Sequence, residues 1–460
     1  MALIQNNLII NKNSERYSPF LVNLLSGRRR RLDGDEFSLV CSMLEKENIT
    51  NFNEAELALY DKLTKEKQFV DDTLRSEIEQ KMVQSGMFNP ILDPSVTLDF
   101  TISLTMDCNM QCYYCYEKNY KNKSSYINRD YIDAIYDFYA FCRKEYGANG
   151  AVGEIGITGG EPLISEETAK LVKYISKKWS DSKITIITNG KNLLKYYDEL
   201  PIGESLKVHL SLDGLKETHL NRRYSGKTTD GKIYDDIILG IKRLLSDNIT
   251  VRLQAVIDKN NYQELPQLHE FLLAEDILSS ANCGFVVSQV NDFSNQFAIN
   301  EEFNTKHEIS KMQKYLSEHN TPYDISYFGL SRLYELIGRP VNEPYIPKHF
   351  FCNTGFLSKY FFSPDGKIYF CNCFDEDKGI VGTYFPNVSI NEDATLKLAK
   401  RSVINHDKCQ ACSYKFVCLG GCPKISEGVG EDMTCGVFLD SEIMDNLEYN
   451  YLNPQIPISV

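Results

Sequence analysis

The chain has 460 residues, a net charge of −13 and 42 % hydrophobic content, which suits an ordinary globular protein of two or three domains. The acidic balance excludes broad binding to nucleic acid or anionic membranes, which need clustered positive charge. No uninterrupted apolar stretch reaches the ~18 residues of a membrane span, and no basic-then-apolar secretion signal opens the chain, so the expected location is the cytoplasm.

Residues 1–92 read as a small unit of their own. Leu8-Ile9-Ile10 and Phe20–Leu25 have strand composition, Ser26-Gly27 marks a turn, and Arg30-Arg31-Leu32 is the returning strand. Helical spacing then begins at Asp35-Glu36 with Phe37, Val40, Cys41 and Leu44. The run Arg28–Arg31 breaks the acidic background; the ordinary reading is a solvated surface, the functional one a contact to an acidic peptide.

Residues 93–300 change rhythm to alternating strands and helices. Strands are predicted over Thr97–Thr105, Glu154–Thr158, Lys183–Thr188, Lys207–Leu212, Ile249–Ile257 and Cys283–Val287. Helices are predicted over Tyr131–Tyr146, Glu166–Trp179, Tyr234–Leu245 and Tyr262–Ala274. Six alternations imply an α/β fold with a curved or open parallel sheet and crossover helices, whose ligands bind at the C-terminal strand ends. Residues 301–345 read as bridging helices, and residues 346–460 as a turn-rich domain stapled by metal.

Cysteine carries the chemistry. Of fourteen, three lie at Cys108, Cys112 and Cys115 and eight between Cys352 and Cys435. In a long chain without a secretion signal, such clusters point to metal. The triad follows the first strand. Three thiolates hold a four-iron cube by three corners and leave the fourth iron free; zinc is the competing reading, but no fourth Cys or His lies close in sequence.

The spacing Cys108-x3-Cys112-x2-Cys115 resembles the radical S-adenosylmethionine (SAM) superfamily, and further motifs follow in the family's order. Tyr114 matches the adenine-flanking aromatic. Gly159-Gly160-Glu161-Pro162 matches the motif that holds the methionine ammonium. Ser211 and Asp213 fall where the family contacts ribose and carboxylate, and Arg223 matches an arginine aimed at that carboxylate, with Arg222 an equal candidate. Asn189 ends the third strand and lines the same cavity. Val256 resembles the segment packed on adenine, although core packing explains it equally. The resemblance implies a partial (β/α)6 radical SAM barrel in which a reduced cluster cleaves SAM to methionine and a 5′-deoxyadenosyl radical.

The distal cysteines read Cys352…Gly366-x4-Cys371-x-Cys373, then Cys409-x2-Cys412-x5-Cys418-x3-Cys422, then Cys435, and resemble the SPASM extension. That implies two auxiliary [4Fe-4S] clusters, three in all with the SAM-binding one. Cys409, Cys412, Cys418 and Cys435 would hold the outer cluster and Cys352, Cys371 and Cys422 the inner. Cys373 either completes the inner set, as residues i and i+2 of a strand face one side, or is free and leaves an open iron. Two zinc sites are the competing reading.

SPASM enzymes mostly modify peptides. The N-terminal unit resembles the winged-helix-like peptide-recognition element of such enzymes, a plain capping domain being the alternative. The favoured reading is a maturase of the thioether- or streptide-type crosslinking kind, acting on a ribosomally made precursor peptide whose leader the N-terminal unit binds, with a reductant such as flavodoxin or ferredoxin. The alternatives are a sulfatase-maturing enzyme and an iron–sulfur electron-transfer scaffold. Sulfatase-maturing relatives carry an aspartate base after the Gly-x4-Cys step; here Asn372 stands there and cannot accept a proton in that way. No general base is assigned: Asp107, Glu117 and Asp375 read as solvent-exposed acids.

Overall fold

The structure is a computed structural model and describes residues 6–15, 18–46, 48–87, 98–117, 125–146, 152–224, 230–290, 306–323, 325–326, 333, 336–337, 345, 347–351, 359–373, 379–410 and 412–423. Cys352, Asp375 and Cys435 lie outside these residues. No helix among them is long and apolar enough to cross a membrane.

Strands β1 (Asn7–Ile10), β2 (Phe20–Asn23) and β3 (Arg29–Arg31) form an antiparallel sheet. β2 ends earlier than predicted because the Asn23 side chain accepts from the Leu25 and Ser26 amides at 3.0 and 2.7 Å, turning the chain in an Asx geometry. Helices α1 (Gly34–Glu45), α2 (Glu54–Lys65) and α3 (Asp72–Met87) follow. Asp33 caps α1 and an Asn53/Glu56 capping box opens α2, satisfying amides that have no partner inside the helix. Leu21 and Leu32 pack with Val40, Met43, Leu59, Leu63 and Phe69 in a small core. Ile10, Phe20, Val22 and Leu24 join the main core instead. The sheet is thus buried on both faces, and the unit is continuous with the rest of the protein.

The arginine run is part of this attachment. Arg29 is buried, and its guanidinium donates to the Leu336 carbonyl at 3.1 Å and to that of Ile337. Arg30 pairs with Glu36 and Glu66 at 2.6 and 2.9 Å. Arg29 departs from the expected solvated surface, whereas Arg30 stays partly exposed in surface ion pairs within the N-terminal unit.

The six predicted strands form as β4 (Leu98–Ser103), β5 (Val152–Thr158), β6 (Lys183–Thr188), β7 (Leu206–Ser211), β8 (Thr250–Ile257) and β9 (Cys283–Gln289), each parallel to the next. The crossover helices are α4 (Arg129–Tyr146), α5 (Glu166–Lys178), α6 (Lys216–Tyr224), α7 (Lys232–Ser246) and α8 (Leu265–Ala274). Alternation sets the faces. On β8, Val251, Leu253, Ala255 and Ile257 are fully buried, while Arg252, Gln254 and Val256 point to the half-open opposite side. Burying each large aliphatic side chain contributes about 1.5–3 kcal/mol, so this one row fixes which side carries ligands.

Among the described residues the sheet does not close. Beyond β9, and after helix α9 (Lys306–Glu318), the short strand β10 (Ile325–Ser326) pairs parallel with β9 in a stretch expected to be only helical. At the other edge β11 (Lys359–Phe362) pairs parallel with β4, and β12 (Lys367–Tyr369), β13 (Ile380–Thr383) and β14 (Ser389–Ile390) continue antiparallel, giving eleven strands in this sheet among the described residues. Phe362 seats edge-on against Phe100, centroids 4.9 Å apart. This pairing satisfies the open edge of β4 and carries the distal cysteines toward the triad.

Candidate functional site

The sequence-predicted residues of the barrel fall at or beyond C-terminal strand ends, except Arg222 and Arg223, which lie in the last turn of α6. The loop after β4 carries Cys108, Cys112 and Cys115, and its backbone is clamped onto the end of β5. Gly160 N donates to Thr105 O at 2.8 Å and Glu161 N to Asp107 O at 2.9 Å. A Cβ on Gly159, whose φ is +149°, would stand 2.3 Å from Thr105 O, and one on Gly160 2.3 Å from Asp107 O. Only glycine allows this approach. The two glycines therefore hold the triad loop, and Pro162 is buried behind them.

Glu161 is buried, and its carboxylate accepts from Leu163 N at 2.9 Å, Thr188 Oγ1 at 2.6 Å and Asn189 N at 2.8 Å. Burial nevertheless raises its pKa. With three of about four lone-pair sites engaged, its main bond is to the end of β6, and room remains for one further donor such as an ammonium. Asn189, so positioned, directs Nδ2 toward Cys108 Sγ at 3.9 Å and to Asn109 Oδ1 at 2.9 Å.

Across the mouth, Asp213 is fully buried at the end of β7. It accepts from Arg223 Nη2 at 3.0 Å, from Val256 N at 3.1 Å and from the Tyr114 hydroxyl. Burial alone would raise its carboxyl, but Arg223 and Arg222 hold it below the usual range. Burial would likewise lower the Arg223 guanidinium, yet Asp213, Tyr114 and Cys112 push it up. Arg222 donates to Asp258 Oδ2 at 2.9 Å, to the Tyr113 hydroxyl at 2.6 Å and to Val256 O at 3.0 Å. Neither arginine is aimed freely at a ligand carboxylate; both are tied into a buried network with the two aspartates. Their side chains cover the Tyr114 ring at 5.2 and 5.8 Å, a cation–π arrangement. Ser211 and Val256 lie half-buried on the open side of the sheet.

Tyr113, Asp258, Asn261 and His219 were not picked out from the sequence. Asn261 Nδ2 spans Asp213 O at 2.8 Å and Val256 O at 3.0 Å, and its Oδ1 accepts from Asp258 N at 2.8 Å. The signal was available: Asp258-Lys-Asn-Asn261 directly follows β8, where ligand-side polar residues collect. His219 is fully buried, and its Nδ1 accepts from Asp213 N at 3.3 Å.

The residues fit an iron–sulfur cluster. Cys108 is exposed, Cys112 and Cys115 half-buried, and protein crowding pushes the Cys108 and Cys115 thiols up to about 12. Three thiolates here need a multivalent cation beside them. Donors already face two sulfurs: Asn189 at Cys108, and Arg223 Nη1 at Cys112 Sγ, 3.8 Å away. Among the described residues, no three His, Cys, Asp or Glu side chains converge on one point. Glu117 is not solvent-exposed as expected: its carboxyl is buried, which pushes it up to about 8.

The second cysteine group is partly described. Cys371 and Cys373 lie in a turn after β12, not on a strand as expected, and Cys373 N donates to Cys371 Sγ at 3.4 Å. The Cys373 thiol is raised by its bond to Cys371, by burial, and by the proximity of Cys422 and Glu117. Leu419, Gly420 and Gly421 all have positive φ, at 53°, 74° and 73°. That left-handed run turns the chain between Cys418 and Cys422, so that neighbours in sequence serve different surroundings. Lys415, buried, stands beside Cys409 and Cys412.

Residues 102–272 match the family model described as Radical SAM superfamily. The chain carries a radical SAM domain. Over 156 residues it is 33 % identical to a GTP 3′,8-cyclase of Clostridium perfringens, covering 34 % of this chain and 45 % of that protein; the chain thus spans less than half the length of this curated relative. Among solved structures it is similar to Streptococcus suis SuiB bound to precursor peptide SuiA, with TM-score 0.56, 18 % identity, and coverage of 95 % of this chain and 99 % of that one. It is also similar to anSMEcpe with bound AdoMet, with TM-score 0.54, 17 % identity, and coverage of 76 % and 95 %. At these identities the likeness is one of fold. The expected α/β architecture agrees with both.

Proposed function

We propose that this protein is a radical SAM peptide maturase that installs an intramolecular thioether or carbon–carbon crosslink in a ribosomally made precursor peptide. The observation that carries the reading is the meeting of two cysteine groups distant in sequence: β11 on β4 brings the Cys371–Cys373 turn to the triad loop, where Asn372 Nδ2 donates to the Tyr116 hydroxyl at 2.7 Å. A crosslinking enzyme removes a hydrogen atom and then an electron and a proton from its substrate, so an electron acceptor beside the initiating site suits that chemistry better than cleavage of SAM alone requires.

When bound, SAM and its cluster supply a 5′-deoxyadenosyl radical able to abstract hydrogen from unactivated carbon. The chain's own residues do the rest. Cys108, Cys112 and Cys115 hold the initiating cluster, and Asn189 and Arg223 donate toward its sulfurs. The Gly159-Gly160 backbone and the remaining acceptor site of Glu161 face the methionine ammonium. Ser211 and Val256 line the pocket from β7 and β8, and Tyr114 is fixed by Asp213 beneath the two arginines. Cys352, Cys371, Cys373 and Cys422 hold an inner auxiliary cluster, and Cys409, Cys412, Cys418 and Cys435 an outer one. The likeness to SuiB over 95 % of the chain leaves out too few residues to omit the N-terminal unit; residues 1–92 suit capture of the leader peptide.

The test is anaerobic reconstitution followed by incubation with precursor peptides encoded beside this gene. About twelve irons per chain, deoxyadenosine formation lost in the C108A/C112A/C115A variant, and a peptide product lighter by a pair of hydrogens are expected. About four irons, or conversion only of a sulfatase-derived cysteine peptide to formylglycine, overturns the proposal.

A further inference from the structure

The Tyr116–Asn372 contact has a second side. Asn372 Oδ1 faces both flanking sulfurs, accepting from Cys371 Sγ at 3.5 Å and Cys373 Sγ at 3.7 Å, while Nδ2 reaches across 256 positions of sequence to the hydroxyl of the residue after Cys115. One amide thereby touches two cysteines of the distal group and the loop of the triad. Tyr116 and Asn372 are both partly open to solvent, and the bond to the phenol is one of the contacts that orient the amide.

We propose that Asn372, held by Tyr116, is a positioning residue that sets the reduction potential of the iron–sulfur cluster at Cys371 and Cys373, an inference that rests on the auxiliary-cluster reading above. Hydrogen bonds to cluster sulfurs and nearby charge are the protein's main levers on such potentials. An amide carries both a donor and an acceptor end. With thiols it accepts from sulfur and donates to the phenol. With thiolates, which only accept, a half-turn of the amide presents Nδ2 to sulfur and Oδ1 to the phenol's proton. An aspartate at the same place offers acceptors only and adds a negative charge. Asparagine here therefore keeps the cluster easier to reduce, as suits a group that receives an electron from substrate.

The experiment compares wild type, N372D, N372A and Y116F as reconstituted full chains, by iron content and by midpoint potentials from electron paramagnetic resonance titration. Full iron content is expected in all four. One cluster of three should shift to lower potential, most in N372D, less in N372A, and in the same direction in Y116F, with the other two unmoved. Should the two Asn372 variants lose iron, Y116F, which lacks a single oxygen atom, decides. An unmoved midpoint in any fully loaded variant, Y116F included, overturns the proposal. About four irons in wild type overturns the auxiliary-cluster reading instead, and the proposal with it.

Discussion

Arg223 lies between Asp213 and Cys112, with Nη2 on the Asp213 carboxylate at 3.0 Å and Nη1 3.8 Å from the Cys112 sulfur. Both charged side chains are buried, so each is the other's main compensation in a region that excludes water. Removing one partner of such a pair costs far more than its net contribution suggests, because the survivor is left charged and unpaired.

Replacing Arg223 by methionine should therefore destabilise the cluster-free protein by about 3–5 kcal/mol, read from urea unfolding. D213N, which keeps an acceptor for Arg223, should cost less. Equal stability of R223M and wild type would mean that the buried network is not the tie described above.

Gly160→Ala places a methyl 2.3 Å from Asp107 O, a backbone atom that can yield only by moving the triad loop. Overpacking of this kind costs about 1–3 kcal/mol. The expected outcome is loss of the triad's share of bound iron on reconstitution, while iron at the distal cysteines is retained. G203A, where no atom lies within 4 Å, is the control and should behave as wild type.

His219 supplies a pH dependence. Burial, reinforced by Arg223, lowers it to about 3, below the ordinary value of about 6.5 for histidine. The unfolded chain then binds a proton that the folded chain refuses, so stability falls as pH drops from about 6.5 toward 3, by at most about 1.4 kcal/mol per pH unit. H219Q should flatten the profile by this amount in urea titrations at pH 7, 6 and 5. His209 and His349, each lowered to about 4 by burial, add parallel slopes, so the difference between variant and wild type is the quantity to read.

The arginine run divides into two kinds of residue. R29M should lower the melting temperature, since charge-assisted bonds to two buried carbonyls contribute about 1.5–3 kcal/mol each. R31E, at an exposed position, should leave stability within about 0.5 kcal/mol. If it also leaves peptide affinity unchanged, Arg31 takes no part in holding an acidic peptide.

The strand–helix alternation, the six parallel strands and the strand-end placement of Cys108, Gly159, Asn189 and Asp213 were legible in the residues themselves. Each depends on local periodicity, on turn chemistry after a strand, or on a fixed spacing of ligands, which are short-range properties. Tertiary structure decided the rest. That Arg29 is buried against Leu336 and Ile337, that Arg223 turns to Asp213, and that Cys371 and Cys373 meet in a turn and not along a strand depend on which segments pack together. The pairing of β11 with β4 joins residues about 260 positions apart, and nothing in the hydrophobic pattern of either strand names its partner. The sequence placed the reactive cysteines in two groups; the open edge of β4 brought the groups together.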